Sequence, residues 1–163
     1  MIYQVNNYIC LIYQVNMKFK TPTSTVLYSI EETIKAYRRL CQQNISSIVP
    51  TITVDQALIL IIIDKEDKSQ SEIADLVFKD YASMTRIIKL MINKNYLTKT
   101  IDDADKRKSE LKITTSGKEI IEKLNPVITK NREIALNSLS EQELKQLFEI
   151  LSKITQNCKT NTK

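Results

Sequence analysis

Positive charge is concentrated in one part of this chain. Residues 79–108 contain eight lysines or arginines and four aspartates, a balance of 8 − 4 = +4, whereas the whole chain of 163 residues carries 24 − 19 = +5. Localised positive charge of this kind favours binding to phosphate groups. The alternative interpretation is an ordinary solvated face, because charged runs are common on protein surfaces.

The composition argues against catalysis. The chain has no histidine, which removes His-based acid–base chemistry and His metal sites from consideration. Gly117 is the single glycine, whereas phosphate-cradling loops need several. The cysteines at 10, 41 and 158 form no C-x-x-C pair. We therefore expect no enzyme activity, no metal site and no cofactor.

Two short helices must position the basic residues. Ser69 and Glu72 form a capping box that predicts the start of the first helix, and the turn is expected near Phe78-Lys79. Asp80 is a suitable N-cap for a second helix from about Tyr81 to Lys94. Its apolar residues recur at helical spacing and predict one buried stripe: Met84, Ile87, Ile88, Met91 and Ile92.

A charged hairpin follows the second helix. Leu97 to Ile101 and Leu111 to Ile113 alternate apolar and polar residues, which predicts two short strands. The intervening D-D-A-D-K-R-K-S is too polar to bury and is interpreted as an exposed loop. Two helices, a tight turn and a hairpin in this order predict a winged helix-turn-helix, a fold that holds one helix in the major groove of DNA.

Three segments in register carry a resemblance to the multiple-antibiotic-resistance-regulator (MarR) family. They are Q-S-E-I-A-D-L (70–76), F-K-D-Y-A-S-M-T-R-I-I (78–88) and D-A-D-K-R-K-S-E-L-K-I-T-T-S-G-K (103–118). The family's wing signature is matched in spacing by Asp105, Arg107, Ile113-Thr114 and Gly117. The sequence departs from the family's pattern at Asn95, where many members have glycine, and in a helix-turn-helix turn without glycine.

The resemblance implies a mainly α (α+β) fold and a sequence-specific transcriptional regulator, expected to be a homodimeric repressor that binds a palindromic operator and is released by a small molecule. Such a wing arginine, here Arg107, enters the minor groove in the family. Together with the exposed positions of the second helix, this gives the candidate DNA-binding residues Lys79, Tyr81, Ser83, Thr85, Arg86, Lys89, Asp105, Lys106, Arg107 and Lys108.

Family members often bind small aromatic acids between the DNA-reading lobe and the dimer helices. Candidate effector residues in this chain are Tyr28, Tyr37 and Cys41. Their alternative interpretation is plain core or interface, since tyrosine on an apolar seam and buried cysteine commonly have only packing roles.

The flanking helices carry zipper-like seams. Apolar residues step by three and four through residues 25–47 and again through 139–158. Two-fold symmetry would let two recognition helices meet a palindrome, so we expect a homodimer. The alternative is that the two seams pack on each other within a monomer.

The expected organisation is one domain with two tails. Residues 1–23 are interpreted as an N-terminal extension, 24–158 as the winged-helix domain and 159–163 as a disordered tail. Within the domain, a DNA-reading lobe is expected at about 53–114 and dimerisation helices at about 25–47 and 116–158. The sparse cysteines and short apolar runs favour a cytoplasmic location. The second functional hypothesis is a helical protein-interaction module that keeps the fold without binding DNA.

Overall fold

A computed structural model describes residues 21–101 and 109–161. A single 3-10 turn, Pro22–Ser24, precedes the regular elements. The elements in chain order are α1 Val26–Ile48, α2 Val54–Lys65, α3 Gln70–Leu76, α4 Tyr81–Asn93, β1 Leu97–Ile101, β2 Ser109–Ile113, α5 Thr115–Ala135 and α6 Glu141–Thr160. The prediction of a mainly helical winged-helix fold with a two-stranded antiparallel wing is confirmed.

Side-chain caps fix where the helices begin. The capping boxes at Thr53, Ser69 and Ser140 are all present, each with its glutamine or glutamate partner three residues on. Asp80 caps α4 by accepting the backbone N–H of Ser83 at 2.8 Å. These bonds satisfy backbone donors that have no partner inside the helix, which is why the sequence predicted the starts of α3 and α4 correctly.

The core forms around α2. This helix contacts α1, α5 and β2, and its residues Ile59 and Leu60 are fully buried. Residues 57–63 of α2 form an unbroken apolar run, yet Leu58 within it is 37% exposed. Ile73 of α3 and Met84 of α4 belong to the same buried cluster, so the helix-turn-helix shares its core with α2.

The two terminal helices leave much of their apolar surface uncovered. Leu27 and Ile34 of α1 are 63% and 50% exposed, although Cys41 and Ile45 further along α1 are buried. The structure describes all of Glu141–Thr160, and none of these residues is buried. Within the chain α1 packs chiefly on α5. The apolar faces of α1 and α6 therefore do not satisfy one another as a closed monomeric core would require.

Both ends of the domain are more regular than expected. The Ser24 hydroxyl donates to the Thr21 carbonyl at 2.8 Å. Residues 21–23 of the expected extension therefore form a turn. Lys159 and Thr160 were expected in a disordered tail but belong to α6. Thr160 Oγ1 donates to the Gln156 carbonyl at 2.9 Å and closes this last turn. Residues 1–20 and 162–163 lie outside the described part of the chain.

No helix in the described part of the chain is both long enough and apolar enough to cross a membrane.

Candidate nucleic-acid interface

The turn between α3 and α4 closes without glycine. Phe78 adopts a left-handed backbone conformation with φ of 55°. Its N–H donates to the Asp75 carbonyl at 3.2 Å, and the Lys79 N–H donates to the Ala74 carbonyl at 2.9 Å. These two bonds form a Schellman motif, which usually places glycine where Phe78 stands. The departure from the family pattern at this turn therefore changes the residue but leaves the turn geometry in place.

Asn95 has the same role at the end of α4. Its φ is 57°, its N–H donates to the Ile92 carbonyl at 2.8 Å, and the Tyr96 N–H donates to Met91 at 2.9 Å. This second Schellman motif turns the chain sharply into β1. Asn95 therefore occupies the left-handed position at which glycine is usual.

The base of the wing is tied to the start of α5. Thr114 caps α5 by accepting the Gly117 N–H at 3.0 Å and donates its own hydroxyl to the Asn95 carbonyl at 2.6 Å. The Thr114 N–H also reaches the Tyr96 carbonyl at 3.2 Å. The Ile113-Thr114 and Gly117 parts of the wing signature thus hold the hairpin to the end of α4.

The outward face of α4 is free of carboxylates. Met84 and Ile88 are buried against the core, while Tyr81, Arg86 and Lys89 are exposed. Neither Arg86 nor Lys89 bonds to another described residue, and no acidic residue occurs between 81 and 94. A helix with this composition can approach phosphates without electrostatic repulsion, and an arginine fork can reach base edges in the major groove.

Three other candidates make contacts within the protein. Ser83 is half-buried and donates its hydroxyl to Asp80 at 2.7 Å. Thr85 is exposed, but its hydroxyl accepts the Gln70 side-chain amide at 3.2 Å. Lys79 Nζ lies 3.0 Å from Asp55 Oδ2. These contacts orient the start of α4, so the structure presents Ser83, Thr85 and Lys79 as parts of its support as well as of its surface.

The hydrogen bond from Ser83 lowers the pKa of the Asp80 carboxyl. Asp80 is therefore an anionic cap at the positive end of the α4 dipole, where a carboxylate is stabilising. Its charge sits at the entry of the recognition helix, and the helix beyond it carries only cations.

The tip of the wing lies outside the described residues. Asp105, Lys106, Arg107 and Lys108 fall there, so their placement remains a prediction. The strands that carry the tip are paired in the register Leu97↔Ile113, Lys99↔Leu111 and Ile101↔Ser109. The base of the wing, where Leu97 pairs with Ile113, therefore lies directly after the turn that follows α4.

Sequence reasoning missed the residues that brace the site from other elements. Asp55 of α2 contacts both Lys79 and Arg38 of α1. Gln70 of α3 accepts Lys99 Nζ of β1 at 3.4 Å and also contacts Thr85. No local pattern links residues so far apart in the sequence. The presence of Asp55 in the first turn of α2 gave only a weak indication of this role, because the helix dipole already explains an aspartate there.

The candidate effector residues do not form one group. Tyr28 and Tyr37 are nine residues apart on α1, which places them on opposite sides of the helix. Tyr37 instead contacts Cys41 and Arg132 of α5. Burial raises the pKa of the Tyr37 hydroxyl, and the contact with Cys41 raises it further, while Arg132 acts in the opposite direction.

A second polar contact lies at the same crossing of α1 and α5. Asn44 Nδ2 donates to Asn131 Oδ1 at 2.5 Å. Asn131 is fully buried, and its amide nitrogen finds no acceptor among the described residues. A buried donor without a partner is costly, so this crossing has hydrogen-bonding capacity that the residues described by the structure do not use.

An open cleft of about 880 Å³ lies elsewhere, between the end of α2 and the wing. Its charged residues come in both signs, and Lys65 pairs with Asp64 at 3.0 Å while Lys112 pairs with Glu110 at 3.0 Å. None of the candidate effector residues lines it. The cleft therefore gives no support to the effector site expected from the sequence.

Comparison with known protein families gives a match to a model of the MarR family over residues 51–108. This segment contains α2, α3, α4 and β1 and continues into the expected wing loop. The match thus covers the helix-turn-helix and the first strand of the wing, and it ends before α5.

Solved structures extend the similarity to most of the chain. The Staphylococcus aureus MepR–DNA complex matches with a TM-score of 0.73 and 19% identity, over 82% of this chain and 98% of that one. MarR from Escherichia coli, a mutant in complex with operator DNA, matches with a TM-score of 0.69 and 23% identity, over 77% and 89%. Bordetella bronchiseptica BpsR, whose DNA binding is regulated by 6-hydroxynicotinic acid, matches with a TM-score of 0.72 and 19% identity, over 83% and 96%. At sequence identities this low, the similarity to these structures establishes only that the fold is shared.

Proposed function

We propose that this chain, whose residues 51–108 match a model of the MarR family, is a DNA-binding transcriptional regulator of that family, not an enzyme, and that it is a sequence-specific repressor. It acts as a homodimer in the cytoplasm, binds a palindromic operator and leaves it when a small molecule binds. Arg86 on α4 reads base edges in the major groove, and Lys89 contacts phosphates. The tip of the wing, with Arg107 at its centre, enters the adjacent minor groove.

The observation that carries the proposal is the outward face of α4. Arg86 and Lys89 are exposed and unpaired among the described residues, on a helix whose opposite side is buried against α2 and α3. A protein-interaction module has no need of a carboxylate-free cationic helix set at the end of a rigid turn. Phosphate and base contacts both require one.

The dimer rests on the uncovered apolar faces of the terminal helices. Leu27 and Ile34 of α1 and Leu147 and Phe148 of α6 are between 46% and 73% exposed in the single chain. Apolar surface in such continuous runs favours association, because burying it is worth roughly 25 cal/mol per Å². We therefore propose dimerisation helices at about 25–47 and 116–158, with the DNA-reading lobe between them.

The effector site is proposed at the crossing of α1 and α5. Tyr37 and Cys41 lie there, and the unpaired amide nitrogen of Asn131 supplies a donor. The pairing of an aromatic side chain with buried polar groups suits a small aromatic ligand that has an acceptor. Tyr28, on the other side of α1, is assigned to the dimer face instead.

The experiment is selection of bound fragments from random-sequence duplex DNA, followed by affinity measurement on the selected site. A repressor yields a two-fold symmetric sequence with half-sites about one helical turn apart. Affinity for that site should fall steeply as salt is raised, because binding releases counterions from the phosphates. Recovery of no preferred sequence, together with affinity that salt does not change, would favour the interaction module.

A further inference from the structure

Asp55 connects three elements of the domain through one carboxylate. Its Oδ1 accepts Arg38 Nη2 from α1, and its Oδ2 lies 3.0 Å from Lys79 Nζ. Asp55 itself belongs to the first turn of α2. Each oxygen is therefore paired with a different cation, one from α1 and one from the turn between α3 and α4.

Lys79 lies where the turn leads into the recognition helix α4. Lys79 follows Phe78, the left-handed residue of the turn, and precedes Asp80, the N-cap of α4. Its backbone N–H is already bonded to Ala74 at 2.9 Å. Fixing the side chain as well leaves the start of the recognition helix little freedom relative to α2.

The Arg38 end lies on the helix whose uncovered face is proposed for dimerisation. Arg38 is three residues before Cys41 and one after Tyr37, which lie at the crossing with α5. A change in the position of α1 therefore acts on Asp55 directly. The carboxylate is only 19% exposed, whereas the two cations remain 43% and 33% exposed.

We propose that Asp55 is a positioning residue that couples α1 to the start of the recognition helix. It touches neither DNA nor effector, and it sets the angle at which α4 meets the groove by holding Lys79 in place. The inference rests on the proposed function, since it assumes that α4 reads DNA. It adds a route by which movement of a dimerisation helix reaches the DNA-reading helix.

The sign of the effect on DNA affinity separates this role from simple electrostatics. Asp55→Asn removes a negative charge near the basic surface, so charge alone would strengthen DNA binding. If Asp55 merely kept Lys79 away from phosphate, Asp55→Asn would free Lys79 to contact DNA. The variant would then also bind more tightly, and the salt slope of its affinity would steepen by about one, as for one added phosphate contact. A positioning role requires the opposite: Asp55→Asn should bind about five-fold or more weakly despite its more favourable charge.

Asp64→Asn is the matched control. Asp64 lies in the same helix with a similar exposure of 21%, but among the described residues it pairs only with its neighbour Lys65. The substitution makes the same change of charge without cutting a link between elements. We expect it to leave affinity unchanged or slightly raised.

Arg38→Gln provides the second arm, with Arg39→Gln as its control on the same helix. Arg38→Gln should weaken binding, and it should add little in an Asp55→Asn background because both substitutions break one linkage. Arg39→Gln should produce only a small effect that adds to that of Asp55→Asn. Binding is measured on a labelled duplex that carries the site selected by the wild-type protein, at a temperature where thermal unfolding shows every variant folded.

Tighter binding by Asp55→Asn, or additive effects of Arg38→Gln and Asp55→Asn, would overturn the inference while leaving the proposed function intact. A wild-type protein that selects no DNA would overturn both. Should Asp55→Asn not fold, the contrast between Arg38→Gln and Arg39→Gln alone decides: equal affinities would reject the coupling.

Discussion

Gly117 packs directly beneath the backbone carbonyl of Tyr96, with no room for a side chain between them. A Cβ placed on Gly117 would collide with that carbonyl and would stand 2.6 Å from Cγ1 of Ile113. This close approach lets the first turn of α5 lie against the end of α4 and the base of the wing. Close packing is therefore the reason that this position requires glycine, the only one in the chain. The backbone of Gly117 is not left-handed, so its conformation does not require glycine.

Gly117→Ala should destabilise the protein by about 1–3 kcal/mol, the usual cost of forcing extra volume into a packed site. Helix propensity alone gives the opposite sign, because alanine is favoured over glycine inside a helix by roughly 0.5–1 kcal/mol. Denaturant unfolding measures the difference. Lys118→Ala, at the exposed neighbouring position, is the control and should change stability by no more than about 0.5 kcal/mol.

Phe78→Gly should stabilise the protein by about 1 kcal/mol. A bulky residue in the left-handed region costs roughly 1–2 kcal/mol, and glycine removes this cost. The greater conformational entropy of glycine in the unfolded chain offsets part of the gain. Phe78 is 93% exposed, so its removal sacrifices little packing. Asn95→Gly is the matched comparison, since asparagine tolerates this conformation; its gain should be smaller. Equal gains at both sites would contradict the assignment of strain to Phe78.

Asp55 should contribute stability that depends on acid pH. Burial raises the pKa of its carboxyl, but hydrogen bonds and charges from Arg38 and Lys79 lower it by more, so the net shift is downward. An aspartate has a pKa of about 3.9 when unfolded, and the contribution is complete above that value. It is then lost as pH falls through the lower folded pKa.

The measurement is the free energy of unfolding of the wild type minus that of Asp55→Asn, followed between about pH 7 and about pH 2.5. This difference should shrink once the pH falls below about 4. Repeating the comparison in an Arg38→Gln/Lys79→Gln background removes both cations and leaves burial as the dominant influence. The pH dependence should there vanish or change sign, and its persistence unaltered would show that the cations are not its cause.

Leu147→Asp should dissociate the dimer without unfolding the subunit. Leu147 lies near the centre of the apolar face of α6 and is 46% exposed in the single chain, so a carboxylate there is hydrated in the monomer and buried in the dimer. Gln156→Asp places the same group on the opposite side of α6 and should leave the dimer intact. Light scattering at micromolar concentration distinguishes the two. A Leu147→Asp protein that remains dimeric would remove α6 from the interface.

Arg86→Ala should weaken binding to the selected operator by about 1–3 kcal/mol and relax the base preference at one position of each half-site. The reason is that Arg86 projects from the exposed side of α4 with no competing partner among the described residues. Lys89→Ala should weaken binding to all sequences alike and reduce the salt slope by about one. Affinities measured across a site library test this; identical profiles for the two variants would leave Arg86 with a phosphate contact only.

The sequence by itself determined the elements and their order. The capping residues Ser69 and Asp80 marked where the two helices of the helix-turn-helix begin, because a side chain three residues from its backbone partner is a local signal. The spacing of Met84, Ile88 and Met91 identified the buried side of α4 and, by exclusion, its exposed side. The wing signature also indicated the hairpin before any strand pairing was known.

Only the tertiary structure decided which cations are available and what braces them. Lys79 and Arg86 look alike in the sequence, yet Lys79 is paired with Asp55 and Arg86 is not paired within the described chain. The contact of Tyr37 on α1 with Arg132 on α5 likewise could not be read from the sequence. Such contacts join residues distant in the chain, so they depend on how the helices pack around α2. The spacing of residues along the chain does not determine that packing.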